Sequence, residues 1–421
     1  MTTRDWLPIG VAAALHLVLA LAVAPRFEFD STFYTTQAQS LVEHGASLDA
    51  SGQPETRYTP GYPLFLAAFL FAGLGYAGAV VAQHALWVGI VAGTVWLVRK
   101  ASGSSLVAVI AGLIVALDLP GVQSSMSVLS ETLAAALLLD AVCCTYFAMK
   151  APGRSKAVGW SVMAGLLAGA TALVRPIAIA LGAPLAVALL LGADRRWRVS
   201  AAAVLIAVFA VLPVFWTLRN ARETGVATLS SLAGINLLHF RAAGTLAIRD
   251  PGGIDANLAR HRDELERRAC GELEAEHGRP CGDISWALRS KTYSAIAWPI
   301  ILDDPIASAQ QAARALGMIV LGGSASLLSE LTGISERSAR MLCLAYTAPL
   351  ALFFLAGVPY WWRVNRLFTC LVLLVLTYMF GIALGAEAYS RFRVPVIALY
   401  AIVCAGGVSW VRDRFAASQA D

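Results

Sequence analysis

The residues able to do chemistry stand in short polar stretches between long apolar ones. The first of these, residues 25–63 (PRFEFDSTFYTTQAQSLVEHGASLDASGQPETRYTPGYP), carries an early acid, Asp30, with Glu28 as a weaker second candidate. It closes on Arg57-Tyr58-Thr59-Pro60-Gly61-Tyr62-Pro63. A carboxylate just past an apolar span is held at the membrane surface, where it can take a proton from an attacking hydroxyl. Asp30 also suits the N-cap of a helix starting near Thr32, since Asp is a favoured cap and Phe33, Gln37 and Leu41 then share a face. Arg57, pinned by Pro60 and Pro63 and flanked by Tyr58 and Tyr62, presents a fork that fits a lipid phosphate. An ordinary interfacial anchor is the alternative.

Further charged groups fall at the ends of apolar runs. Arg391 and Arg393, in Tyr389-Ser390-Arg391-Phe392-Arg393-Val394-Pro395, precede the last run on the side where positive charge goes against the inside bias, so they ask for a partner. A phosphate head group would serve, and so would Glu387. Arg175, before Pro176, offers a third cation to the same pocket or snorkels to the interface. Glu131, in SSMSVLSETL, and Asp118 are acids at or inside apolar runs, which are costly and face a cavity or a partner. Asp140, His16 and His84 lie deeper and read as partners for neighbouring backbone or side chains. Asp30, Asp118 or Glu131 could bind a divalent cation, but spacing alone does not establish one.

What must position these groups is a membrane scaffold. Of 421 residues, 58% are hydrophobic and 14% charged, with a mean hydropathy of +0.67, outside the range of soluble globular chains. The apolar runs approach or exceed the roughly 20 residues of a helical span and lack the alternation of an outer-membrane barrel. The fold class is therefore all-α and polytopic. About ten spans are expected, at 7–24, 76–98, 105–119, 126–149, 157–175, 176–192, 198–217, 340–358, 367–385 and 392–411. Run 7–24 reads as a retained first span, since no cleavage site follows it.

These spans put the clusters Arg99-Lys100, Lys150 with Arg154 and Lys156, Arg195-Arg196 with Arg198, Arg363 with Arg366, and Arg412 with Arg414 on one side. By the positive-inside rule that side is the cytoplasm, with both termini. The net charge of +5 is thereby explained by orientation, and no nucleic acid partner is needed. Two apolar stretches, 62–73 and 312–328, are read as outer-leaflet or re-entrant helices. The first is too short to cross, and counting it as a span would reverse the next clusters.

The chain thus divides into an N-terminal membrane module (1–217), an extracytoplasmic helical loop (218–311) and a C-terminal membrane module (312–421). The loop holds a charged helical run, 257–277, a break at Gly278-Arg279-Pro280-Cys281-Gly282, and a second helix at about 284–301. Trp286, Tyr293 and Trp298 suit that helix to the lipid interface. Cys270 and Cys281, alone among seven cysteines in lying in a polar region, could pair as a disulfide if this loop is outside, and no C-x-x-C zinc pattern competes. Gly165 with Gly169 fits close helix packing. No phosphate-loop, zincin or nucleophile-elbow motif occurs.

In order along the chain, Asp30 with Phe33-Tyr34 and 41–45, Tyr58-Thr59-Pro60-Gly61-Tyr62-Pro63, Ser130-Glu131, Val174-Arg175-Pro176 and Arg391-Phe392-Arg393-Val394-Pro395 together resemble the C-type (GT-C) superfamily of membrane glycosyltransferases. They resemble in particular the branch of dolichyl-phosphate-mannose protein mannosyltransferases and the bacterial lipid A aminoarabinose transferase. The resemblance covers roughly 1–220 plus the C-terminal spans. Where many relatives carry an acidic pair in the first loop, Asp30 here is followed by Ser31.

The resemblance implies an inverting transferase of the plasma (inner) membrane and cell envelope. A polyprenyl-phosphate-linked sugar would be the donor, and a glycan, lipid or protein on the extracytoplasmic side the acceptor. Asp30 would act as base and Arg57, Arg175, Arg391 and Arg393 would hold the lipid phosphate, with Glu28, Tyr34, Tyr58, Tyr62, Asp118 and Glu131 lining the pocket. The rival reading is a transporter or flippase of lipid-linked sugars, which should show related halves, and none is evident.

Overall fold

The computed structural model describes residues 2–192, 196–385 and 388–418. Arg195 and Glu387, both invoked above, lie outside these described residues. Among them the chain is helical throughout, with only two isolated backbone bridges, Arg26 with Ser127 and Leu48 with Pro54. Nine helices are long and apolar enough to cross a membrane, or ten if one bent pair counts as a span, in line with the expected ten.

In chain order the elements are α1 (Leu7–Ala22), α2 (Phe29–His44), α3 (Gly61–Phe71), α4 (Gly75–Ser102), α5 (Ser105–Ala116), α6 (Leu119–Met126), α7 (Glu131–Lys150), α8 (Arg154–Val174), α9 (Gly182–Gly192) and α10 (Arg198–Thr224). The part between the membrane modules holds α11 (Leu232–Ile235), a π-helical turn (Asn236–Ala242), α12 (Ala243–Arg249), α13 (Ile254–His277) and α14 (Trp286–Asp303). There follow α15 (Pro305–Leu321), α16 (Ala325–Thr332), α17 (Glu336–Val364), α18 (Arg366–Ala383), a 3-10 segment (Ser390–Val396) and α19 (Ile397–Ser418).

Long-range contacts sort the helix ends into two groups. Asn365, between α17 and α18, donates to Ala101 O at 3.2 Å and Tyr146 Oη at 3.3 Å, and Arg363 and Arg414 both sit over Trp410. The ends that carry the basic clusters of 99–100, 150, 363–366 and 412–414 therefore lie together. At the other end the start of α2, the start of α7, the end of α8 and the 3-10 segment before α19 converge.

Two expected spans and one stretch expected not to cross differ in detail. The span at 105–119 is α5 and α6 bent by 52°, because Asp118 accepts from Gly121 N at 3.0 Å and so starts a new helix at the bend. The 176–192 span is a 3-10 turn followed by the short α9, yet it runs end to end: its start follows Arg175, and Gly192 lies against Met149 near the last turn of α7. Stretch 305–332 passes the composition test for a span. Its contacts nonetheless keep its carboxyl-terminal half at the converging end, since the Ile319 and Val320 carbonyls bind Arg393 and Glu330 pairs with Arg26. Helix α3, with 11 residues, is only about 16 Å long at 1.5 Å per residue, half a bilayer core.

Close approach makes the packing possible. A Cβ on Gly165 or Gly169 would lie 2.7 Å from Leu205 O or 2.9 Å from Phe209 O, so α8 meets α10 backbone to backbone, as the glycine spacing predicts. The part between the modules has its own small core of Leu238, Leu265, Leu273, Tyr293 and Ile296. It is clipped by a Cys270–Cys281 disulfide with Cα atoms 5.2 Å apart. The other five cysteines are free, and Cys143, Cys144, Cys343 and Cys404 are buried. His16 and His84 face each other, Nδ1 to Nδ1 at 2.9 Å, in keeping with structural partnership.

Candidate active site

Local chemistry fixes where Asp30 sits. Helix α2 begins one turn earlier than expected: Glu28, not Asp30, is its N-cap, and Glu28 N donates to Ser31 Oγ at 2.8 Å in a capping box. Asp30 is therefore not spent on the cap. It lies in the first helical turn, where a negative charge is favourable. The helix ends at Gly45, whose φ of 66° needs a residue without a Cβ.

The start of α2 is tied to the α6–α7 junction. Arg26 N donates to Met126 O at 3.0 Å, Val128 N to Arg26 O at 2.9 Å, and Ser31 Oγ to Val128 O at 2.9 Å. These bonds place Asp30 beside the first residue of α7, Glu131. Arg391, 361 residues away in sequence, closes the group with Nη2 2.5 Å from Asp30 Oδ2. The hydroxyl of Tyr58 donates to Asp30 Oδ1 at 3.2 Å.

Glu131 forms the floor, with only 1% of its side chain exposed. Arg175 Nη1 approaches its Oε1 at 2.6 Å and Arg391 Nε at 3.7 Å. Both contacts are ion pairs, the one with Arg175 the shorter. Arg175 Nη1 also donates to Ser130 Oγ at 3.3 Å, which pairs in turn with Tyr34 Oη at 3.1 Å. Burial first, and the Asp30 charge second, push the Tyr58 phenol well above its ordinary range, so it stays a donor. Burial pushes the Tyr34 phenol up likewise.

Two acids and two arginines thus meet in one cluster, called the chamber for its exposed side at Asp30 and Arg391. Asp30 is one-fifth exposed and Arg391 one-third, so the cluster opens on the side of these two. Of the expected site residues, Asp30, Tyr34, Tyr58, Glu131, Arg175 and Arg391 come together. Tyr62 packs against Tyr34 with ring centroids 4.9 Å apart, but its hydroxyl donates to Gln83 Oε1 at 2.7 Å, away from the acids. Glu28 accepts from Gln123 Nε2 at 3.2 Å and serves the cap.

Two arginines are held otherwise than as phosphate forks. The guanidinium of Arg57 is already engaged by Glu55, through Nε at 3.2 Å and Nη2 at 2.9 Å, and lies 4.8 Å from the Phe33 ring centre and 4.9 Å from that of Trp286. Arg393 is 2% exposed. It donates to Asp118 Oδ1 at 3.0 Å and to the carbonyls of Ile319, Val320 and Gly322. A buried carboxylate and three carbonyls take up both of its Nη atoms.

Sequence reasoning missed Glu55, Ser130 and Arg219. The last anchors the first loop by donating to Glu55 O and Ser47 O, each at 2.9 Å. A glutamate two positions from Arg57 was the available sign for Glu55.

The carboxylates do not form a fitting metal site. Asp30, Asp118 and Glu131 each face a guanidinium, whereas a hard divalent ion takes about six oxygens. No step is derived through one. Among the described residues the group with ligand atoms within 4.8 Å is Glu266, Cys270 and Cys281, and its sulfurs are joined to each other.

No family model matches the chain, and no curated protein sequence does. Solved structures do. The archaeal oligosaccharyltransferase AglB from Archaeoglobus fulgidus, in complex with an inhibitory peptide and a dolichol-phosphate, is similar over 100% of this chain and 52% of its own, with TM-score 0.55 and 13% identity. The apo crystal structure of the Archaeoglobus fulgidus oligosaccharyltransferase is similar over 99% and 52%, with TM-score 0.53 and 16% identity. ArnT from Cupriavidus metallidurans bound to undecaprenyl phosphate gives TM-score 0.43 at 14% identity, over 96% and 78%. The fold is similar to the helical membrane part of these solved structures, a polytopic helical scaffold. The chain spans about half the length of the oligosaccharyltransferases it matches.

Proposed function

We propose that this protein is an inverting glycosyltransferase that moves a sugar from a polyprenyl-phosphate donor to a hydroxyl acceptor on the extracytoplasmic side of the membrane. The observation that carries the reading is the 2.5 Å contact between Asp30 and Arg391, two groups from opposite ends of the chain, beside a buried acid and a second arginine. Unlike the sealed pair of Arg393 with Asp118, this pair is partly exposed and so stays open to a ligand.

The chemistry follows from the charges. As they stand, the two arginines and two carboxylates balance. A lipid phosphate arriving at the open side of the cluster competes with Asp30 for Arg391, whose fork prefers such an oxyanion. Asp30, released from its guanidinium, becomes free to accept the proton of the acceptor hydroxyl. The acceptor oxygen then bonds to the anomeric carbon from the face opposite the phosphate, the bond from that carbon to the phosphate oxygen breaks, and the lipid phosphate keeps the electron pair.

Arg391 and Arg175 stabilise the charge that develops on that phosphate, an effect worth about 3–4 kcal/mol for a well-placed donor. The phosphate leaves as an anion, so no general acid is needed and one carboxylate suffices. Glu131 keeps the two arginines apart and oriented. Tyr58 fixes Asp30 through Oδ1. Arg393 with Asp118 holds the segment that presents Arg391.

The test is transfer by purified protein supplied with a polyprenyl-phosphate sugar and membrane extract as acceptor. Asp30→Asn is expected to lower transfer by about a thousandfold or more while donor binding persists. Full transfer by that variant overturns the assignment of Asp30 as base.

A further inference from the structure

Beside the chamber lies a second, separate feature that the reaction does not use. A cleft of about 250 Å³ opens between α2, the turn at 47–55 and the first residue of α14. We infer that this cleft is a saccharide-binding subsite that takes an uncharged, hydroxyl-rich portion of the acceptor next to its reacting end. The inference rests on the transferase reading above.

The walls decide the ligand class. Thr32 and Thr36, one turn apart on α2, line the cleft opposite Asp49 and Ser51. Asp49 Oδ1 is spent on its own turn, where it accepts from Ser51 N, Ser51 Oγ and Gln53 N, which leaves Oδ2 to accept from a ligand. Arg57 spends Nε and Nη2 on Glu55, which leaves Nη1 to donate. Phe33 and Trp286 clamp that guanidinium from either side and make the wall rigid.

A ligand that donates to a carboxylate, accepts from a guanidinium and exchanges bonds with hydroxyls is a polyol. A phosphate or uronate would face two carboxylates against one guanidinium that is already neutralised, and would be repelled. An acyl chain would strip hydration from Asp49, Ser51 and the threonines without replacing their hydrogen bonds. The volume lies below the roughly 300–1,000 Å³ of drug-sized sites and suits one or two sugar rings.

Position gives the role. Phe33, on the cleft wall, stacks on Tyr58 with ring centroids 5.0 Å apart, and the Tyr58 hydroxyl holds Asp30. A saccharide seated in the cleft is thus separated from the Asp30 carboxylate by the stacked rings of Phe33 and Tyr58, and the following sugars of a short chain would reach around them.

The experiment is saturation-transfer NMR on the full chain in lipid nanodiscs, without donor, using neutral tri- and tetrasaccharides and matched chains that end in a uronate. Neutral chains are expected to receive saturation and uronate chains several-fold less. Thr36→Trp and Ser51→Trp, which fill the cleft from opposite walls, should each weaken the neutral signal about tenfold or more, and Asp49→Ala by several-fold, the cost of a lost hydrogen bond. Binding of undecaprenyl phosphate should not change in any of them.

Neutral chains that bind folded forms of both tryptophan variants as well as wild type overturn the inference, as does no binding at all or a preference for uronate. If one tryptophan variant does not fold, the other with Asp49→Ala decides. The two readings fail separately. A protein that transfers sugar but binds saccharide regardless of these substitutions loses only the cleft. A protein that binds neutral saccharide there yet transfers nothing, with Asp30→Asn indistinguishable from wild type, loses only the transferase assignment.

Discussion

Arg391 and Arg393 stand two residues apart on one short 3-10 segment and live in opposite environments. Arg391 is one-third exposed and touches two carboxylates. Arg393 is sealed in, its Nη atoms taken up by Asp118 and three carbonyls. A 3-10 turn rotates successive side chains by about 120°, so the step of two carries one guanidinium to the core and leaves the other at the chamber. Both keep an Nε without a hydrogen-bond partner, so what separates them is exposure: Arg391 stays open to a ligand and Arg393 is sealed. The comparison extends from the chamber to the part between the modules, where Glu266 is engaged by His239, Arg289 and Tyr293.

The largest effect should come from the more exposed arginine. Arg391→Ala is expected to reduce transfer by about 10²–10³-fold, the loss of one oxyanion-stabilising group, with thermal stability close to wild type. Arg391→Lys should recover only part of it, because a point charge replaces a fork. Assays of initial rate beside a melting curve check both. A variant that melts early but transfers normally per folded molecule would erase the distinction drawn above.

Arg393→Ala should do the reverse. It strands Asp118 in a 2% exposed position, which costs about 3–5 kcal/mol, so yield and melting temperature fall while the folded fraction still transfers. Replacing both partners with apolar residues, Arg393→Met with Asp118→Leu, should regain a large part of the stability, since a buried pair is often matched by a hydrophobic one. Failure of the double variant to exceed the single one would give Asp118 a second duty, for which its bond from Gly121 N is the candidate.

How much of this was legible beforehand depended on the kind of signal. Apolar run length and the side preference of basic clusters gave the spans and so put Asp30, Arg175, Glu131 and Arg391 at one end, a long-range fact read from short-range pattern. The division of labour between Arg391 and Arg393 was not legible, because it turns on which way a seven-residue 3-10 segment faces. Arg57 looked free because a loop has no period to reveal that Glu55 folds back on it. Asp30 seemed a possible cap because propensity favours Asp there, whereas Glu28 with Ser31 took the position through a reciprocal pair. Stretch 312–328, expected not to cross, is long and apolar enough to be a span as part of 305–332, and hydropathy cannot express its ties to Arg393 and Arg26.

The disulfide sharpens the second half of the contrast. Cys270 and Cys281 close a loop with a sequence separation of 11, so Cys270→Ser with Cys281→Ser should cost up to about 3 kcal/mol locally. Protease sensitivity between 250 and 285 should rise while transfer changes less than twofold. A tenfold loss of transfer would mean that this part of the chain shapes the chamber itself.

The smallest effect is the pH response of the same network. Burial pushes the Glu266 carboxyl up, but hydrogen bonds from His239 and Tyr293 with the charges of His239 and Arg289 outweigh it and bring the group down to about 2 from 4.5. A carboxyl depressed on folding contributes stability that is complete above its unfolded pKa and is lost as pH falls through the folded one. The window therefore runs from about pH 4.5 down to about pH 2, and since a third of the side chain is exposed, solvent screening keeps the effect modest. Melting followed by protease sensitivity of 250–303 should be flat above pH 5 and fall below it, and Glu266→Gln should lower stability at pH 7 and remove most of that slope. An unchanged slope in Glu266→Gln would place the acid sensitivity elsewhere, and the chamber carboxylates, each already facing a guanidinium, would be next to examine by the same substitution.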